Sequence, residues 1–446
     1  MPARKDAGRR DQRGKRLRTI ARKYSSGERT VVVLDVGTRK MCCLIARLLP
    51  RPAWPDAAMS SRIHILGFGH QLSRGIHSGR VSDMVAAEHS VRGAVSKAER
   101  AADVMVNEVY VTTSFGPLHN QSFTASIDLP SGSVTLKDME RIKRAGLEYA
   151  SRSGLSVLHS VPVSYTLGYE SGISDPLGMI GDTLKVDVHA VSTDALPLRN
   201  LRHCIERSHL SVSGLASAGY ASARSVLVES EAQTGVTCLD MGAGTTGVTV
   251  FSSGGLIYCD SVDMGSHHIT SDIAHAFSMT LTEAERMKTL HASVFAAGAR
   301  MSDGIITDED DGGTGLLSRH ISKAELSDLA RIRLEQIFIE VCARLRSSGI
   351  APMSGNRLVL TGGASELVGA AELAGQIFGK QARLGRPRPI PGLPPQAAEP
   401  AFAAPLGLLV HLLDDDLRLE TGVAPEIIAS SQGYLARVGQ WFRESF

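Results

Sequence analysis

Asp35 and Asp240 are the residues of this chain best placed to do chemistry. Each follows an apolar run, Val31-Val32-Val33-Leu34 in one case and residues 236–239 in the other, and each leads into a turn of glycine and threonine. The first turn reads Val36-Gly37-Thr38-Arg39-Lys40 and the second Met241-Gly242-Ala243-Gly244-Thr245-Thr246-Gly247. Glycine has no Cβ, so backbone N–H groups in such a turn can approach phosphate oxygens closely. The hydroxyls of Thr38, Thr245 and Thr246 add donors, and Lys40 ends the first turn. The two carboxylates would not touch phosphate. They suit a hydrated Mg²⁺, which keeps several waters and bridges the phosphates. Asp35 and Asp240 are therefore the expected metal residues, acting through water. One such turn is what any β-hairpin can show. Two of them, about two hundred residues apart, point to a duplicated unit with a nucleotide between the copies.

These turns need strands on either side. The apolar runs supply the first strand of each hairpin, and residues 41–46 and 248–251 supply the second. A third loop follows the buried strand Arg357-Leu358-Val359-Leu360. It reads Thr361-Gly362-Gly363-Ala364-Ser365 and runs into a helical stretch at 366–378. Strand, Gly-Gly and helix N-terminus together make an anion or nucleotide site, with Gly362, Gly363 and Ala364 as its contacts. There is no G-x-x-x-x-G-K-[ST] and no G-x-G-x-x-G after a strand. In this order and spacing the loops resemble the motifs of the actin, Hsp70 and sugar-kinase superfamily.

The rest of the chain reads as α/β. Ser82-Asp83 would cap a helix to about residue 102, followed by a strand at 106–113. From 114 to 191 the texture changes to short alternating strands around one charged helix at 137–151, the pattern of an inserted α+β unit. Helices are expected at 197–208, 218–230, 269–277, 282–291 and 323–348. An acidic, Gly-rich loop is expected at 302–315, and a Pro-rich loop at 385–400.

Bulk properties narrow the function. The chain has 446 residues and a net charge of +2, which gives no overall case for nucleic acid. Its first thirty residues are crowded with arginine and lysine and read as a solvated tail without the apolar core of a secretion signal. Six cysteines show no C-x-x-C spacing and read as small hydrophobes in a reducing compartment. His267 and His268 lack a cysteine or acidic partner at ligand spacing and read as structural or exposed. No apolar stretch reaches the ~20 residues that a membrane span needs. The last residues, however, carry Leu435, Val438, Trp441, Phe442 and Phe446 at helical spacing, with Arg437 and Arg443 able to reach the polar side. Such a helix suits the headgroup boundary of a membrane.

Taken together, the segments resemble the FtsA family of bacterial actin-like cell-division proteins. The matching segments are Leu34 to Lys40; Asp240 to Val250; Thr270-Ser271-Asp272-Ile273-Ala274; Glu283 to Lys288; Val359 to Ser365; Ala403 to Leu409; and Trp441 to Phe446. The resemblance implies an actin-like two-lobed fold with a small inserted α+β subdomain and a C-terminal amphipathic helix. Beyond a basic tail at 1–29 that the resemblance does not cover, the chain divides into a first subdomain at 30–113, the insertion at 114–191, a second lobe at 192–413 with a helical part at about 270–350, a linker at 414–432 and the terminal helix at 433–446. ATP with Mg²⁺ would lie in the cleft, with Glu285 and Lys288 near the ribose and base. The protein would polymerise on the cytoplasmic side of the inner membrane at the septum and hold anionic lipid through the terminal helix. It would bind the C-terminal tail of FtsZ and meet other division proteins through the insertion. No specific nucleic acid is expected. Three positions depart from the family pattern: Arg39 where serine is usual, Ala243 where glycine is common, and Gly247 where aspartate is common. The last implies slow ATP hydrolysis at most. The alternatives are an actin-like pilus-assembly adaptor and a small-molecule kinase of the same superfamily.

Overall fold

The structure, a computed structural model, describes residues 28–49, 59–151, 154–173, 175–295, 304–309 and 317–413. The basic tail up to residue 27, the linker and the terminal helix lie outside the described residues, and with them Leu435, Arg437, Val438, Trp441, Phe442, Arg443 and Phe446.

In chain order, β1 (Arg29–Val36), β2 (Lys40–Leu48) and β3 (Ile63–Leu72) form an antiparallel meander. A small hairpin, β4 (Ile76–His77) and β5 (Arg80–Val81), leads to α1 (Met84–Ala102). Asp83 caps α1 by accepting from Val85 N and Ala86 N, both at 3.0 Å. The buried face of α1, including Val91, Ala94 and Ala98, lies on β3. The approach is so close that a Cβ on Gly69 would meet the Ala94 carbonyl at 2.1 Å. β6 (Glu108–Thr113) then joins β1 in parallel.

The insertion comprises β7 (His119–Asp128), α2 (Leu136–Ser151), β8 (Ser156–Leu167), β9 (Glu170–Ile173) and β10 (Thr183–Thr193). Its sheet runs β7-β10-β8-β9 and has its own core around Ile142, Leu184, Val186 and Val188.

The chain returns through α3 (Ala195–Arg207) and β11 (Ser211–Ser217), followed by α4 (Ala218–Val226) and α5 (Glu229–Thr234). A second meander follows: β12 (Val236–Met241), β13 (Thr246–Ser252) and β14 (Gly255–Val262). Then come α6 (Ser266–Ala276), α7 (Leu281–His291), the hairpin β15 (Gly304–Glu309) and β16 (Leu317–Ser322), and α8 (Lys323–Ser347). β17 (Arg357–Thr361), α9 (Ala370–Phe378), β18 (Gln381–Leu384) and α10 (Ala403–Leu413) complete the described chain.

The duplication is plain in the sheets. The first runs β3-β2-β1-β6-β11 and the second β14-β13-β12-β17-β18. Each has an antiparallel meander of three strands, with two parallel strands added beside the first strand of the meander. β1 and β12 are central and buried on both faces, which is why their sequences are near-continuous apolar runs rather than alternating ones.

Two expectations need correction. The second lobe does not take all of 192–413. β11 extends the first sheet, and α10 packs on that sheet through Leu406, Leu408 and Leu409 against Val31, Val33, Cys42 and Leu44. Sequence order hides this because both segments return to the first lobe from far along the chain. The region expected as a loop at 302–315 also contains β15, paired with β16 from Gly304↔Ser322 to Glu309↔Leu317.

Candidate functional site

The two expected hairpins have the same local geometry. In the first, Gly37 N donates to Lys40 O at 3.0 Å; in the second, Gly242 N donates to Thr245 O at 2.9 Å. Asp35 pairs with Cys42 and Asp240 with Gly247 across their hairpins. Each aspartate also faces a threonine on the neighbouring parallel strand, Thr112 for Asp35 and Thr361 for Asp240. The hairpin tips meet between the lobes: a Cβ on Gly244 would strike Thr38 Oγ1 at 2.4 Å, so only glycine allows this approach.

The third loop closes over the second. Gly362, at φ +83°, sits where a Cβ would meet Asp240 Oδ1 at 2.6 Å, and its N–H donates to Pro400 O at 3.1 Å. The helix expected at 366–378 begins later. Gly363–Glu366 form a short 3₁₀ turn, and α9 starts at Ala370 after Gly369 adopts φ +86°. The left-handed glycine redirects the chain, so α9 does not run on directly from the loop.

The loops enclose a cleft of about 390 Å³, within the ~300–1,000 Å³ usual for small-molecule sites. Asp35, Gly37, Thr38, Lys40, Asp240, Gly242, Gly244, Thr245, Glu285, Lys288, Gly362, Gly363 and Ala364 all line it. Thr246 does not. It is fully buried, and its hydroxyl donates to Met264 O at 2.8 Å, because the strand alternation that turns Thr245 to the cleft turns Thr246 away.

Electrostatics single out the aspartates. Burial raises the Asp35 carboxyl above its ordinary range, opposed by the Lys40 charge and by a 2.6 Å hydrogen bond from Thr112 Oγ1. Asp240 is lifted to about 7 by desolvation and by the Asp35 charge, against the pull of Ser222 Oγ at 2.9 Å and of Lys40. Two desolvated carboxylates that repel each other across a cleft lined with hydroxyls and backbone donors are a hard-oxygen set. They fit a hydrated Mg²⁺.

Glu285 and Lys288 lie one turn apart on α7 with 2.9 Å between Lys288 Nζ and Glu285 Oε2. Thr270 on α6 ties the pair together: its hydroxyl donates to Glu285 Oε2 at 2.5 Å and accepts from Lys288 Nζ at 3.0 Å. Burial pushes the Glu285 carboxyl up, but the Lys288 charge and these hydrogen bonds outweigh it and leave it below its ordinary range.

Sequence reading missed Thr112, Ser222 and Thr270, which hold the acidic residues in place. Thr112 and Ser222 are brought to their partners by the fold and no local motif marks them, and Thr270 stands in a segment that carries the family resemblance without revealing its contact with Glu285 and Lys288. His268 is structural, as expected: Gly265 N donates to its Nδ1 at 3.2 Å at the start of α6. Gly247 lines the cleft and packs on Gly219, where a Cβ at 247 would stand 3.0 Å from the Gly219 Cα. An aspartate there would require α4 to give by a few tenths of an ångström.

Comparison with known proteins agrees with this arrangement. The family described as cell division protein FtsA matches residues 237–407, and the SHS2 domain inserted in FtsA matches residues 116–192. The cell division protein FtsA of Agrobacterium fabrum is 38% identical over 439 residues, covering 97% of each chain. That of Escherichia coli K12 is 28% identical over 429 residues, covering 95% of this chain and 99% of the relative. Among solved structures, a PilM-PilN type IV pilus biogenesis complex has a TM-score of 0.58 at 15% identity, covering 86% of this chain and 98% of that one. MreB5 of Spiroplasma citri bound to ADP has a TM-score of 0.50 at 14% identity, covering 88% and 98%. At these identities the structural likeness is one of fold, and the fold is actin-like with an inserted SHS2 domain.

Proposed function

The chain belongs to the FtsA family of cell division proteins, and on that premise we propose that it binds ATP with Mg²⁺ between its lobes and polymerises on the cytoplasmic face of the inner membrane, tying the FtsZ ring to the septum. The observation that carries the nucleotide part is the matched pair of hairpins, each with an aspartate followed by the same Gly-to-residue-plus-three turn, meeting at Thr38 and Gly244. Backbone donors of the turns at Gly37–Lys40 and Gly242–Thr245 would receive the phosphates. Asp35 and Asp240 would hold Mg²⁺ through its waters, and the ion would neutralise phosphate charge. Glu285 and Lys288 would flank the ribose and base, and Gly362, Gly363 and Ala364 the adenosine.

Calorimetry with MgATP tests this reading. Asp240→Ala and Gly363→Asp should abolish or strongly weaken binding. The second variant is informative about the ligand because a Cβ at 363 meets only Ala401 Cβ, at an ordinary 3.6 Å. Wild-type affinity in both variants would sink the assignment.

The FtsZ tail would dock on the face of the 252–350 region away from the cleft. The basic groups of α8 include Arg331, Arg333 and Arg344, and these three already have acidic partners. Arg333 is bidentate to Asp272 at 2.6 and 2.8 Å, Arg331 pairs with Glu335 at 2.9 Å, and Arg344 reaches Asp260 at 2.9 Å. An acidic peptide would have to compete for them, so tail-peptide affinity should depend on salt. Unchanged affinity in the triple alanine variant would move the site elsewhere. Other division proteins would meet the inserted subdomain. Among the described residues no helix is long and apolar enough to cross a membrane, and attachment would fall to the terminal segment.

A further inference from the structure

Among the described residues three cations line the cleft: Arg39, Lys40 and Lys288. Two are engaged. Lys40 Nζ donates to the Ala401 carbonyl and lies 3.6 Å from the centre of the Phe402 ring. Lys288 is held by Glu285 and Thr270. The guanidinium of Arg39 makes no hydrogen bond or ion pair among the described residues. Its main chain is nonetheless fixed, because the Arg39 carbonyl accepts from Ser73 N at 3.0 Å. The half-buried side chain is thus presented to the cleft from a rigid turn.

Burial is the largest influence on Glu285, Lys288 and His267, and the Arg39 charge lowers all three, with burial at Lys288 and His267 and against it at Glu285. These groups belong to α6 and α7 on the opposite wall. The cation acting on Asp35 and Asp240 is instead Lys40. Arg39 thus faces a cleft whose lining also includes Glu285 and Lys288.

We propose that Arg39 is a specificity residue that pairs its guanidinium with the phosphate chain of the bound nucleotide. The proposal rests on the nucleotide reading above. A planar guanidinium meets two phosphate oxygens at once, which an ammonium cannot do. The phosphate chain would then be neutralised both by the ion at Asp35 and Asp240 and by Arg39, so that removal of either leaves the other.

The test is calorimetry of the full chain with ATP, ADP and adenosine, in Mg²⁺ and in EDTA, for wild type, Arg39→Ser and Arg39→Lys. Hydrogen bonds to charged groups predict that Arg39→Ser weakens ATP and ADP roughly tenfold or more. Adenosine should bind unchanged, and the loss should be larger in EDTA. Arg39→Lys should recover only part. Unchanged ATP and ADP affinity in Arg39→Ser, with wild type binding both, overturns this proposal alone. An equal loss for adenosine also overturns it, since Arg39 would then act on the shape of the cleft. If wild type binds none of the three, the nucleotide reading falls and this proposal falls with it.

Discussion

Asp240 carries a conflict that its neighbours resolve only in part. Its hydrogen bond from Ser222 and the charge of Lys40 favour the carboxylate, while desolvation and Asp35 oppose it and lift its pKa from 3.8 to about 7. The folded chain therefore holds this proton more tightly than the unfolded chain does. That contribution to stability is fully present below the unfolded value and is lost as pH rises through the folded one. Buried His159, His189 and His411 act in the opposite sense. Desolvation lowers them to about 3, 4 and 4, so their contribution is lost as pH falls. Raw stability against pH mixes the two, and a difference separates them. With metal chelated, Asp240→Asn should gain melting temperature over wild type steadily from about pH 4 and level off above about pH 7. Added Mg²⁺ should narrow the gap by stabilising the wild-type carboxylate. A gap independent of pH would show that Asp240 is ionised throughout. At this scale the sequence was informative where chemistry is local. The aspartates and glycines were legible because the turn that needs them is only a few residues long. Thr112 and Ser222 were not, because contact between distant strands and helices places them. The pairing of Arg333 with Asp272 and of Arg344 with Asp260 was equally hidden, since nothing local places those carboxylates beside α8.

Elements were legible to the extent that their faces repeat. α1 begins at the predicted cap and ends at the predicted residue, because Asp83 and the spacing of Val91, Val95 and Ala98 mark it twice over. The start of α9 was misplaced because Gly369 could not be assigned a left-handed conformation without its surroundings. Close approach between elements was equally hidden. In α10, Gly407 faces α4 so tightly that a Cβ would stand 1.6 Å from the Ala221 carbonyl. In α1, the three atoms nearest a Cβ on Gly93 all belong to the amide end of Gln71, the first at 2.0 Å, and that flexible side chain can swing aside. Alanine is favoured over glycine inside a helix by about 1 kcal/mol, whereas overpacking against a fixed backbone costs about 1–3 kcal/mol or more. The two substitutions should therefore differ in sign. Gly93→Ala should raise the urea midpoint slightly, and Gly407→Ala should lower it clearly. If both raise it, the α4–α10 contact is looser than described here.

For the whole molecule, the duplication was readable from two hairpins, but the assignment of segments to lobes was not. Membership of β11 and α10 in the first lobe depends on chain returns that periodicity does not record. The proposed membrane attachment belongs to the same scale, since it would couple the terminal residues to a polymer. Leu435, Val438, Trp441, Phe442 and Phe446 share an apolar side at helical spacing. Full burial of such side chains is worth roughly 1.5–3 kcal/mol each, but interfacial burial is partial, and ordering the helix costs part of the gain. Arg437 and Arg443 add about 1 kcal/mol each near anionic lipid, screened by salt. One short helix would thus be a modest anchor, and a filament that presented many of them would hold firmly while single molecules exchange. On this argument Trp441→Glu should release the protein from anionic liposomes, by losing apolar area and adding a charge that the surface repels. Arg443→Ala should weaken binding mostly at low salt. Co-sedimentation over a salt series separates the two effects, and undiminished pelleting of Trp441→Glu would mean that the segment docks on protein instead of lipid.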